Sequence, residues 1–264
     1  MSDDDEIEAS RAPLITHLIE LRRRLVWSLI GLAIAMTACF VVAGDIFNLL
    51  LIPYERAAGE DQELRLIFTA PQEFFFTKLK IALFGGVCIA FPVIASQLYK
   101  FVAPGLYRNE RSAFLPYIIA TPVLFILGGC VVYFIIMPLA MQFFIGMQQT
   151  PEDGGAIIEL LPRVSEYLGL IMTLILAFGF CFQLPVVLTL MARVGLATSE
   201  GLKAKRKYAV VGVFAVAAFL TPPDIISQVG LAIPTLLLYE VAIYSVRMVE
   251  RKHDEERAAR EAAE

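Results

Sequence analysis

Two short stretches place a carboxylate among arginines where a long apolar run begins. Glu20 lies in His17-Leu-Ile-Glu-Leu-Arg-Arg-Arg24, directly ahead of a run that starts at Leu25. Glu110 lies between Arg108 and Arg111, just before a window from Ser112 to Pro151 that carries no formal charge. A carboxylate at such a rim can do one of two things. Glu20 has Arg23 and Arg24 three and four residues on, the spacing of a helix-surface ion pair worth about 0.2–0.5 kcal/mol. Glu110 can likewise complement the amino-terminal dipole of a helix. Alternatively, each acid can receive a cationic visitor, because a bidentate carboxylate–guanidinium bond is strong where the dielectric is low. Spacing alone leaves both readings open.

Five further polar positions stand out against apolar surroundings. Gln183 precedes Leu184-Pro185 inside an apolar run, where it can bond a neighbouring helix or line a groove. Thr221-Pro-Pro-Asp224 reads as a rigid turn with Asp224 capping the helix that follows, and Gln228 lies one turn further on. Glu240 is an ionisable residue at membrane depth, by default a functional suspect, although snorkelling toward the nearby Arg247 serves equally.

The elements that must position these residues follow from composition. Hydrophobic residues make up 58% of the 264 and charged residues only 18%. A soluble domain carries about 45–50% and about 25%, so the chain reads as an all-α membrane protein. A spanning helix needs roughly 20 apolar residues. That rule predicts six helices at 25–44, 75–99, 114–137, 167–191, 208–220 and 225–246, the fifth and sixth short. The third is expected to end at Pro138. Residues 1–24 form an amphipathic segment in which Pro13 suits a first helical turn and Leu14, Leu18, Leu21 and Leu25 share a stripe. The outer loops 45–73 and 138–166 are expected to cap one face, and 247–264 is a charged tail. Frequent prolines in or beside the spans bend the helices, which favours an open, concave wall.

Seventeen of the 22 basic residues fall in segments 1–24, 99–113, 192–207 and 245–264, all on one side of this topology. The positive-inside rule therefore predicts that both termini face the cytoplasm. On that basis Glu20 and Glu110 share a membrane face.

Several function classes lose support. The four cysteines (Cys39, Cys88, Cys130, Cys181) all lie within apolar runs and read as small core residues. Two histidines far apart make no metal site, and HExxH, GxSxG and P-loop patterns are absent. There is no basic nucleic-acid patch. A solute transporter calls for inverted repeats and ionisable residues in broken helices. An intramembrane enzyme calls for a nucleophile–base or two-acid arrangement, and the acids at depth, Glu73 and Glu240, are far apart in sequence.

The stretches Leu14–Arg22, Phe101–Arg111, Ala177–Pro185 and Leu220–Gln228, with Ala232-Ile-Pro234, resemble the TatC family. This family is the polytopic core of the twin-arginine protein translocase. The resemblance runs from about Pro13 to Arg247. It implies a glove-like, six-span protein of the bacterial cytoplasmic (inner) membrane that is not an enzyme and uses no cofactor. It further implies that the protein receives Arg-Arg signal peptides of folded precursors and recruits TatB-type and TatA-type single-span partners. Export is then driven by the proton-motive force, and self-association and contact with membrane lipid are expected. By the same resemblance Glu20, Glu110, Arg22, Phe101 and Arg111 belong to the signal-peptide site, and Pro53 and Gln183 match positions tied to function. Thr221, Asp224 and Gln228 lie where partner helices dock, and Glu240 remains a polar group in the membrane. Gln183 is neutral where relatives carry Glu or Gln.

Overall fold

The computed structural model describes residues 3–59, 65–102, 115–149, 159–193, 195–221 and 225–261. Among these the chain is almost wholly helical. In order, the helices are α1 (Asp3–Val41), α2 (Ala43–Ala58), α3 (Glu73–Val102), α4 (Leu115–Val131), α5 (Met137–Ile145), α6 (Val164–Cys181), α7 (Leu184–Arg193), α8 (Ser199–Ala204), α9 (Arg206–Leu220) and α10 (Ile225–Glu261). One π-helical turn, Val132–Ile136, joins α4 to α5. Five stretches are long and apolar enough to cross a membrane: His17–Val41, Glu73–Phe101, Pro116–Ile145, Val164–Arg193 and Ser227–Lys252.

Helix α1 runs unbroken, so the amphipathic segment and the first span are one element. It lies antiparallel to α3 in a fixed register. His17 stacks on Phe101, Arg24 reaches Gln97, Gly31 faces Val93 and Met36 faces Gly86. The approach depends on glycine: a Cβ on Gly86 would stand 2.8 Å from the Cα of Met36. The outward faces of α1, including Leu18, Leu25, Ile30 and Ile34, remain exposed, as suits a helix bathed in lipid.

Helix α6 is the hub and the most enclosed span. Tyr167, Leu168, Ile171, Leu174, Ile175 and Phe178 are all buried, and α6 packs against α3, α4 and α9. Against α4 the backbones nearly touch, since a Cβ on Gly128 would meet the carbonyl oxygen of Phe178 at 2.7 Å. Pro185 has no N–H and its ring would clash with the carbonyl four residues back, so α6 stops at Cys181. Gln183 N–H then bonds only three residues back, to Phe180 O at 3.0 Å, before α7 resumes the span.

Three sequence expectations change. Pro138 does not end the third span. The preceding π turn, closed by Met137 N–H on Val132 O five residues back, lets Pro138 enter at the first turn of α5, and the helix continues to Ile145. The sixth span is not short: α10 has 37 residues and carries its apolar part and charged tail as one helix. Part of the outer segment 45–73 is a helix, α2, which contains Pro53 and packs on α5 and α3. The segment expected as a short fifth span is the helix α9, which is not among the five stretches above and is 15 residues long. That gives about 22 Å against about 30 Å of hydrocarbon.

On the side opposite the basic segments, Glu73 ties three pieces together. Its carboxylate accepts the Ser165 hydroxyl at 2.6 Å, the Thr69 N–H at 2.9 Å and the Ser165 N–H at 3.3 Å. The strand-like bridge between Ile67 and Arg163 lies beside this latch. All four cysteines are free.

Candidate functional site

The basic end of α1 carries the first candidate acid, and its environment is set by α3. Glu20 Oε1 accepts Arg24 Nη2 at 3.0 Å, both side chains being a little over one quarter exposed. Arg24 Nη1 also points at Gln97 Oε1 on α3, at 3.4 Å. The Nε of Arg24 is buried without an acceptor, so the guanidinium is only partly satisfied where it stands. One turn before Glu20, the His17 ring stacks on Phe101 with centroids 4.2 Å apart and planes inclined by 26°. A partly exposed carboxylate thus sits between a tethered arginine and an aromatic pair. Such a pocket rim can accept a guanidinium and stack it.

Arg22, two positions from Glu20, lies about 200° around the helix and is exposed on another face. Glu110, Arg111 and Asp224 lie outside the described residues. The structure therefore brings Glu20 and Phe101 to one place.

Gln183 is 8% exposed and closes a polar chain across three helices. Its Nε2 donates to the carbonyls of Thr121 at 3.0 Å and Gly179 at 3.3 Å. The Thr121 hydroxyl is bonded to the Tyr99 hydroxyl, two residues before Phe101. Tyr99 and Thr121 are themselves buried. Gln183 Oε1 is buried with no donor facing it. This chain joins the break in the fourth span to the end of α3 that carries Phe101. Sequence reasoning missed Tyr99, Thr121, His17 and Gln97 as parts of this arrangement. The available signals were a threonine beside Pro122 in a charge-free window and a glutamine near the end of α3.

Glu240 is paired, its Oε2 lying 2.6 Å from Arg206 Nη2, with both side chains half exposed. Nearby, the Tyr239 hydroxyl donates to Leu202 O at 2.8 Å, and Glu250 accepts the N–H and hydroxyl of the buried Ser199. These bonds seat α8 against α10. Thr221 is buried and turns its hydroxyl inward to Ala217 O at 2.9 Å, while Gln228 is half-buried on α10.

Pro53 is fully buried in α2. Its missing N–H leaves the Leu49 carbonyl, four residues back, without its helical donor. The Tyr133 hydroxyl fills that place at 2.7 Å, and Tyr167 bonds the next carbonyl, Leu50 O, at 2.8 Å.

Among the described residues no group of three or more His, Cys, Asp or Glu side chains could hold a metal ion. Among the described residues the arrangement sets one carboxylate against one guanidinium at the end of α1.

Comparison with known proteins identifies the family. A family model described as Sec-independent protein translocase protein (TatC) matches residues 16–234. A TatC protein of Magnetococcus marinus is 45% identical over 252 residues, covering 96% of this chain and 90% of the relative. The Escherichia coli (strain K12) TatC protein is 35% identical over 235 residues, covering 89% and 88%. Among solved structures, a crystal structure of the twin-arginine translocase receptor TatC superimposes with a TM-score of 0.76 at 37% identity. That match covers 88% of this chain and 98% of the solved one. The chain described here belongs to the TatC family of Sec-independent protein translocase proteins.

Proposed function

We propose that this chain is the receptor and core subunit of a twin-arginine translocase, and that it binds the Arg-Arg signal peptides of folded cargo. The observation that carries the reading is the Glu20 carboxylate, partly exposed and held by a single helix-neighbour arginine beside the His17–Phe101 stack. An (i, i+4) pair contributes only a few tenths of a kcal/mol. An incoming guanidinium can therefore displace Arg24, which retains Gln97 as a partner. Glu110 takes the second arginine, with Arg111 next to it in sequence, while Arg22 faces away from the immediate contact. At an effective dielectric of about 20, one charge pair at about 4 Å gains about 4 kcal/mol before desolvation is subtracted. That energy suffices for recognition; transport draws on the proton-motive force, with no catalytic step.

The distribution of basic residues supports a bacterial inner-membrane protein with both termini on the cytoplasmic side and α9 as a short additional crossing. Around the α9–α10 turn, Thr221, Asp224 and Gln228 form the docking place for TatB-type and TatA-type helices. The Gln183 chain conveys the state of the Phe101 end to the fourth span, and Glu240 with Arg206 anchors the last two helices at the inner rim.

Crosslinking of an Arg-Arg precursor to this protein in membranes tests the reading. Adducts form with the unaltered chain and vanish in Glu20→Ala/Glu110→Ala. Undiminished adducts in the double variant reject the site.

A further inference from the structure

Helix α9 presents an apolar stripe that the protein leaves uncovered. Ala209, Gly212, Val213, Val216 and Leu220 line one wall of an open groove of about 670 Å³, whose other walls come from α6, α7 and α10. Their spacing of three, one, three and four residues puts them on a single helical face. Gly212 lies in mid-helix with nothing within 4 Å of where a Cβ would stand. A glycine there costs about 1 kcal/mol against alanine, so the fold keeps this wall low at some expense.

The stripe has a charged end. Lys205 lies four residues before Ala209 on the same face, and Ala209 N–H bonds Lys205 O at 3.0 Å, so one turn separates the ammonium stem from the groove. Lys203 and Lys207 flank it, and all three are exposed. Among the described residues none of the three makes an ion pair. The acids nearby are Glu200, Glu240 and Glu250; Glu240 is paired with Arg206, and Glu250 accepts the N–H and hydroxyl of Ser199. A net positive cluster therefore marks the interface end of a hydrocarbon-lined slot. Inside the slot, the hydroxyls of Thr235 and Tyr239 are spent on the carbonyls of Leu231 and Leu202. Their donor protons are thus engaged within the protein; Thr173 is the remaining hydroxyl on the lining and the rest of it is apolar, which matches an alkyl chain better than a polar helix face.

We propose that this groove is a binding site for one anionic phospholipid, an acyl chain lying along the α9 stripe and the phosphate held by Lys205 with Lys203 and Lys207. The site stands on the membrane character of the chain and does not depend on the signal-peptide reading. An occupant here also supplies the wall that a 15-residue helix cannot build.

The full chain with Trp27→Phe supplies a background without tryptophan, since Trp27 is the only one. A reporter, Val216→Trp, faces the groove from a position 49% exposed, and a control, Val211→Trp, lies about 140° away at 69% exposed. Each is reconstituted in phosphatidylcholine vesicles doped with dibrominated phosphatidylglycerol or dibrominated phosphatidylcholine. The site predicts several-fold stronger quenching of the groove reporter by the brominated phosphatidylglycerol, equal quenching of the control, and loss of the preference in Lys205→Glu. Native mass spectrometry of the otherwise unaltered chain reads the same site without a reporter: phosphatidylglycerol is retained over phosphatidylcholine, several-fold less so in Lys205→Glu. An equal preference at Val211→Trp, a preference that survives Lys205→Glu, or no quenching of the groove reporter by either lipid overturns the proposal. The last result assigns the groove to a protein segment.

Discussion

Arg24 holds Glu20 by one nitrogen at 3.0 Å and leans on Gln97 by the other, so the carboxylate proposed to receive a visitor already has a resident cation. The resident bond is local, partly exposed and cheap to exchange. Arg24 is then a competitor as well as a neighbour. Arg24→Gln is expected to raise the affinity for an Arg-Arg peptide about twofold, the size of a helix-surface pair. Fluorescence titration of a labelled peptide against the reconstituted protein measures it. Weaker binding in this variant would make Arg24 a positioning residue for Glu20.

The tyrosine that repairs a proline break gives a second test. Tyr133→Phe strips the Leu49 carbonyl of the donor that replaces the one Pro53 lacks. In a low-dielectric setting this is expected to cost about 1–3 kcal/mol. Pro53→Ala restores a backbone N–H at position 53, so the double variant should lose less than Tyr133→Phe alone. Thermal unfolding of the four members of the cycle in one detergent gives the coupling.

How much of this was legible in the sequence differs from element to element. The spans were readable because charge-free windows of about 20 residues have few other uses. The end of the third span was not, because a π turn that admits Pro138 leaves no mark in hydropathy. Helix α2 was hidden because the segment 45–73 was expected as an outer loop; the helix tolerates Pro53 because Tyr133 satisfies the freed carbonyl. At the candidate site, the Glu20–Arg24 pair was implied by its four-residue spacing. His17 against Phe101 and Gln183 against Thr121 were not, since they depend on the register of α1 on α3 and of α6 on α4. Those registers are set by close glycine contacts at Gly86 and Gly128, which a periodicity count does not weigh.

Gly86 itself can be tested. A methyl at this position would collide with the backbone of α1, so Gly86→Ala must push α1 from α3. The expected loss is about 1–3 kcal/mol of stability. A parallel fall in the yield of a His17→Cys/Phe101→Cys crosslink would locate the displacement. The same pair crosslinking at an undiminished rate in Gly86→Ala would refute the register.

The polar chain from Gln183 to Tyr99 predicts a graded response. Tyr99→Phe removes the partner of the buried Thr121 hydroxyl and is expected to lower stability by about 1 kcal/mol. Gln183→Leu is expected to cost less, because one of its polar atoms is already unpartnered and both of its acceptors lie within helices. Melting temperatures in this order support the chain as drawn. The reverse order would mean that Gln183 carries bonds beyond the two to Thr121 and Gly179.

The most direct measurement of the central claim compares an Arg-Arg with a Lys-Lys signal peptide on the reconstituted protein and on Glu20→Gln. Charge-assisted bidentate bonding favours the guanidinium pair by about 1.5–3 kcal/mol, roughly 10- to 100-fold in Kd. The account predicts that preference in the unaltered protein and its collapse toward unity in Glu20→Gln. A preference of the same size in both proteins would contradict it.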